Sequence, residues 1–248
     1  MKEKVKKIVF QIVVCFFIVI LLIMLAAQTS VNTAKNVLKA SDEVYYCGNK
    51  NNNNVSLMIN VYWGDEYLDS MLETLDNHSV KATFFVGGIW VSKNPEKLMT
   101  IFEKGHEIAN HGYFHKSHDK LTWQQNVDEI QNNHNLVKQY TNLDMNLFAP
   151  PSGAYSQTTV DVAKSLGYKT IMWSKDTIDW RDKDTNLIIK RASTNNKNGD
   201  LILMHPTKNT AEALDTIITN ILSQNFKIVC VSQNISANII WFFYFILL

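Results

Sequence analysis

His111 and His115 stand four residues apart in the segment GHEIANHGYFH at 105–115. On one helical turn, side chains at that spacing face the same way. Two neutral imidazoles so placed bind a divalent cation such as zinc. A packed or solvated pair has the same spacing, so the signal is weak alone. His106 and His118 flank it, as alternative ligands or as bystanders. A second group sits at 173–180, WSKDTIDW, where Asp176 and Asp179 stand near Trp180. These are a catalytic carboxylate pair or loop-capping residues beside a packed indole. His205 closes the apolar run Leu201-Ile202-Leu203-Met204. Oriented by a carboxylate it is a general acid; without one it is an ordinary structural histidine.

The elements that must position these groups alternate along the chain. Strands are expected at 55–61, 81–86, 107–110, 147–149, 168–172, 200–204 and 226–231. Helices are expected at 67–76, 95–104, 122–140, 156–166, 186–194 and 210–223. Pro95 starts one helix, Ser156 caps another, and Gly105 and Gly167 stop two of them. Strand–helix alternation implies a parallel sheet, doubly wound or closed into a barrel. In such folds chemistry gathers where strands end. The unusual residues do so here: Asn60 to Glu66, Asn110 to His115, Ala149 to Gly153, Trp173 to Trp180 and His205 to Thr207 each follow a strand.

The chain has 248 residues and a formal net charge of +1. Charges are well mixed, which argues against a nucleic-acid-binding stripe. Residues 8–27 are almost wholly apolar and follow Lys2, Lys4, Lys6 and Lys7. About 20 apolar residues span a bilayer, with basic flanks on the cytoplasmic side. Residues 1–28 are therefore expected as a membrane anchor, with the remainder outside the cytoplasm. Cleavage near Leu25-Ala26-Ala27 would make the protein secreted. A polar linker is expected over 29–54, one domain over 55–232, and an apolar tail over 233–248. Three cysteines make no disulfide framework, and Cys47 and Cys230 read as free thiols.

Five blocks in order resemble the polysaccharide deacetylase family, also called the NodB-homology domain or carbohydrate esterase family 4. They are KATFFV at 81–86, GHEIANHGYFH at 105–115, PPSGAY at 150–155, WSKDTIDW at 173–180 and ILMHPT at 202–207. The resemblance covers about 55–232 and is nearest to sporulation-associated members. It implies an α/β fold, a distorted (β/α)7 barrel. It also implies hydrolysis of N-acetyl groups on peptidoglycan or a chitin-like polysaccharide, with a divalent metal, usually zinc, as cofactor. On the matching positions, His111 and His115 are implied as metal ligands, His205 as catalytic acid and Asp179 as the carboxylate that orients it. Trp63, Pro151, Gly153, Tyr155, Asp176 and Trp180 are implied as the substrate groove.

The first family motif, Thr-Phe-Asp-Asp, is altered. One register places Asn60 at the base position and Val61 at the metal-carboxylate position; another places Tyr62 and Trp63 there. Neither supplies an Asp, and a neutral amide is no base near neutral pH. Ala149 stands where the family has an Arg. Asp65 is the candidate substitute base, with Glu66 beside it, and His205 acting as base and then acid is the alternative. Three functions follow: a deacetylase with a substitute base, an inactive glycan-binding domain, or an envelope or sporulation scaffold.

Overall fold

The computed structural model describes residues 44–236, together with Lys6, Val14, Phe16, residues 18–20 and Met24. The expected anchor at 8–27 lies largely, and the apolar stretch 239–248 wholly, outside the described residues. No helix among the described residues is long and apolar enough to cross a membrane.

Nine strands form one all-parallel sheet: β1 (Val44–Tyr45), β2 (Asn54–Val61), β3 (Thr83–Val86), β4 (Glu107–Asn110), β5 (Leu147–Phe148), β6 (Lys169–Ile171), β7 (Lys175–Asp176), β8 (Leu201–Met204) and β9 (Lys227–Ile228). The order is β1-β6-β5-β4-β3-β2-β8-β7, with β9 added to the start of β2. The sheet curls without closing, since β1 and β7 are its ends. The expected barrel is thus a half-barrel.

Helices α1 (Leu68–Asn77), α2 (Gly88–Lys93), α3 (Pro95–Glu103), α4 (Trp123–Thr141), α5 (Gln157–Ser165), α6 (Thr185–Ser193) and α7 (Lys208–Ser223) pack on the outside, whereas α8 (Val231–Ile235) packs Val231 and Ile235 against the inner face. Side-chain oxygens close several helix starts. Thr122 and Ser156 make reciprocal capping boxes, and Asp184 and Thr207 cap α6 and α7.

β2 is central, and a strand covered on both faces reads as an apolar run. Val55, Leu57, Ile59 and Val61 point outward into the core shared with the helices. Met58 points inward onto Phe85, Ala109, Leu147, Ala149, Ile171 and Leu201. Side chains alternate along a strand, so Asn60 follows Met58 to the inner face, one step nearer the rim.

Three boundaries differ from expectation. Residues 44–54 belong to the domain: β1 pairs with β6, and the Gly48 N–H donates to the Gly199 carbonyl at 2.6 Å. Two paired residues are too few for a sequence period to reveal. The last strand is only Lys227–Ile228, because the Val231 N–H donates to Thr83 Oγ1 and the chain turns into α8. The domain accordingly continues past 232, with buried Asn234 donating to Ser56 Oγ at 3.0 Å. Helix α2, which buries Trp90 and Val91, is short enough to have escaped notice.

Candidate functional site

The strand ends surround a cavity of about 500 Å³ lined by Asn60, Tyr62, Trp63, His111, His115, Ser152, Trp173, Asp176, Trp180, Leu203 and His205. All five loops singled out by their residue types contribute to it.

His111 and His115 meet here with ring centroids 5.1 Å apart, but not on a helix. They lie in the loop after β4, bent by left-handed backbone at Gly112 (φ 71°) and at His115 itself (φ 56°). Buried side chains of α4 and β4 hold this loop. Glu129 Oε2 accepts from the N–H groups of Tyr113 (3.0 Å) and Phe114 (2.7 Å). Asn110 Oδ1 accepts from the Gly112 N–H and from Asn133 Nδ2, both at 2.9 Å. Glu129 is 2 % exposed, and its Oε1 reaches Lys116 Nζ at 3.3 Å. Neither Glu129 nor Asn133 was singled out from sequence. Acids and amides on a polar helix look solvated, and only the third dimension shows which face is covered.

His111 Nδ1 lies 2.8 Å from the Ala149 carbonyl, which can only accept, so this nitrogen carries the hydrogen. Nε2 is left as the lone-pair nitrogen of the neutral ring. Burial, and then the neighbouring His115, hold the His111 pKa well below the usual histidine range. Burial also lowers His115.

On the opposite wall, Asp179 is buried and fixes His205. Its Oδ2 accepts from the His205 backbone N–H at 2.6 Å and from the Thr210 hydroxyl at 2.5 Å, while Oδ1 faces His205 Nδ1 at 2.8 Å. Thr210 lies in the first turn of α7, where its own N–H is capped by Thr207 Oγ1. The His205–Asp179 pair expected from sequence is therefore in contact, and Thr210 is an addition to it.

Between the walls stand aromatic rings. Tyr62 lies on His115 with centroids 4.7 Å apart, and Trp63 stacks on His205 at 5.6 Å and 10°. Val61 is fully buried in the outer core and faces away from the cavity. In the register that puts Val61 at the metal-carboxylate position, that position therefore brings no side chain to the cavity. Asn60 lines the cavity, 5 % exposed, with no hydrogen-bond partner for Oδ1 among the described residues.

Several expected groove residues lie elsewhere. Asp65 and Glu66 form the 3-10 turn 65–67 and are absent from the cavity lining, so no substitute base stands there. Pro151 is buried beneath the lining, and Ser152, in left-handed backbone at φ 56°, takes its place at the surface. Gly153 supports Trp173, since a Cβ there would meet the indole at 2.7 Å. The Tyr155 hydroxyl pairs with that of Tyr46 at 2.6 Å, away from the lining. Trp173 and Leu203, which sequence did not single out as groove residues, are in it. His118 is buried against Asn126 and Phe148, and His106 accepts from the Ala82 N–H at the other end of β4; neither joins the cavity. Cys47 and Cys230 are free thiols, as expected.

A catalytic zinc takes three protein ligands and keeps a fourth position open. Two imidazoles converge here, but the flanking positions are aromatic. Among the described residues no group of three or more His, Cys, Asp or Glu is placed to hold an ion. The donor set thus falls one ligand short of the metal centre implied by the resemblance.

Known proteins share this architecture. The polysaccharide deacetylase family model matches residues 48–171. The Bacillus subtilis protein YlxY is 38% identical over 77% of this chain and 60% of its own length. The Bacillus subtilis peptidoglycan-N-acetylmuramic acid deacetylase PdaA is 30% identical over 74% of this chain and 72% of its own. The crystal structure of BA3943, a carbohydrate esterase family 4 pseudoenzyme from Bacillus anthracis, superposes with a TM-score of 0.76 at 37% identity, covering 78% of this chain and 69% of that one. A mutant of that pseudoenzyme with restored enzymatic activity superposes equally well at 36% identity. Sequence blocks, half-barrel and site together place this chain in the polysaccharide deacetylase family.

Proposed function

We propose that this chain uses the family groove to bind an amino-sugar glycan of the peptidoglycan type and has lost rapid deacetylation. One observation carries the reading. In either register of the first motif, the residues that this segment brings to the lining beside the histidines, Asn60, Tyr62 and Trp63, are uncharged. Among the described residues Asp176 is the only carboxylate on the lining, and it is not hydrogen-bonded to any of the three histidines. Without a positioned base, hydrolysis loses roughly 10²–10⁴-fold. The pseudoenzyme nature of BA3943 and the peptidoglycan substrates named for PdaA agree with this reading. The basic flank and apolar segment at 8–27 support a membrane-tethered domain outside the cytoplasm, where such a glycan lies.

A second reading rests on the intact His205–Asp179 pair, which keeps an oriented imidazole able to act as base and then acid. The test uses the full chain with N-acetylated peptidoglycan fragments and measures both binding and acetate release. Binding without acetate above background is the expected result. Acetate release that disappears in His205→Ala would establish the second reading instead. Protease accessibility of the domain in intact cells checks its placement.

A further inference from the structure

The cavity lining carries one formal charge, and it is negative. Asp176 contributes its carboxylate, while among the described residues no Lys or Arg lines the cavity. Asp176 Oδ1 accepts from the Ile178 N–H at 2.7 Å, closing a turn, and Oδ2 has no hydrogen bond among the described residues. The nearby cations are engaged elsewhere. Lys175 Nζ donates to the Thr194 carbonyl at 2.6 Å and also to the Asn196 side chain. Arg181 makes a two-point contact with Asp182, at 2.8 and 3.1 Å. Asp176 therefore faces the cavity without a hydrogen-bonded countercharge.

The other polar groups on the lining add acceptors. Hydrogen bonds from Nδ1 to the Ala149 carbonyl and to Asp179 leave Nε2 of His111 and of His205 as lone-pair nitrogens in the neutral rings. Asn60 Oδ1 is a buried acceptor with no hydrogen-bond partner among the described residues. The Tyr62 hydroxyl donates to the Phe114 carbonyl at 3.3 Å and is spent. The remaining side-chain donors, three indole N–H groups, the Ser152 hydroxyl, the Asn60 amide and the N–H of a neutral His115 ring, are uncharged. Tyr62, Trp63, Trp173 and Trp180 supply π-faces, which attract cations.

Resting on the glycan-binding reading, we propose that the cavity selects a glycan bearing a free primary ammonium, a de-N-acetylated hexosamine, over its N-acetylated counterpart. An ammonium offers three donors and a positive charge to a wall of acceptors, one carboxylate and aromatic faces. A neutral acetamido group would strip water from Asp176 and return no countercharge, which disfavours burial. The ligand is the product of an amide hydrolysis that another enzyme must perform, so this domain would act downstream of a deacetylase.

Calorimetry on the full chain in chelator-treated buffer tests this, comparing a glucosamine tetramer with an N-acetylglucosamine tetramer at neutral pH. The expected result is at least about tenfold tighter binding of the free amine, by the affinity scale in which one charge-paired contact contributes a factor of ten or more. Asp176→Asn keeps an oxygen for the Ile178 N–H and should remove the preference while leaving the melting temperature nearly unchanged. Trp180→Ala, at an exposed ring, should weaken both ligands alike. Equal affinities or a preference for the acetylated tetramer would overturn the proposal and leave glycan binding standing. A preference that survives Asp176→Asn would overturn the assignment to Asp176. Binding of neither tetramer would remove both this proposal and the reading beneath it.

Discussion

The two walls of the cavity have diverged. The wall at the ends of β7 and β8 is a complete proton-handling unit, in which Asp179 takes three hydrogen bonds and leaves His205 one free nitrogen. The wall at the ends of β2 and β4 keeps its imidazoles, and Glu129 holds their loop, but the residues that β2 brings to it, Asn60, Tyr62 and Trp63, are uncharged. The two walls are held independently, because each is anchored by its own helix. Thr210 of α7 serves one wall, and Glu129 and Asn133 of α4 the other.

The strongest way to break this contrast is to rebuild the missing half. Tyr62→Asp with Trp63→Asp should create a third ligand and a base together. We expect stoichiometric divalent-metal uptake by elemental analysis and acetate release at least about 100-fold above the parent chain. Absence of both would mean that the aromatic positions are not where the carboxylates belong.

Glu129→Ala tests the anchor of the histidine loop. It strands two N–H groups, at a cost of about 1–3 kcal/mol each, and should lower the melting temperature sharply while abolishing glycan binding. Asp179→Asn is smaller, about 1–3 kcal/mol, because one amide oxygen still accepts. Nitrogen NMR should show His205 losing its fixed tautomer while the histidines of the other wall stay unchanged. A change spreading to His111 would show that the walls are coupled.

The smallest effect lies outside the cavity. Burial lowers the His106 pKa from 6.5 to about 4. Between those values the unfolded chain binds the proton and the folded one does not, so stability falls as pH drops from 6.5 toward 4. His111 and His115 are lowered too and act in the same direction. His106→Gln can retain an acceptor for the Ala82 N–H and should flatten only part of this acid limb in a melting series.

Sequence reached the correct loops because polar and aromatic residues after apolar strands are conspicuous. It reached the histidine pair by the wrong route, since a helical turn was assumed where two left-handed residues bend a loop. The first motif stayed ambiguous because sequence alone does not say which face of β2 a residue occupies. With Met58 inside and Ile59 and Val61 outside, Asn60, Tyr62 and Trp63 are the residues of this segment that reach the cavity. Glu129 was illegible because nothing in WQQNVDEIQNN distinguishes a covered acid from a wet one. Asp65 looked suitable by type and proximity, but the 3-10 turn holds it off the lining.

The ring of Tyr62 lies so close to the backbone at Gly87 that a Cβ there would meet it at 2.4 Å. The end of β3 is thus moulded to an aromatic neighbour and has no room for a side chain of its own. A carboxylate placed at position 62 would leave a water-filled notch over that glycine. Any substitution that rebuilds chemistry at this position therefore starts from a loss of packing, and its gain in rate is to be weighed against a lower melting temperature.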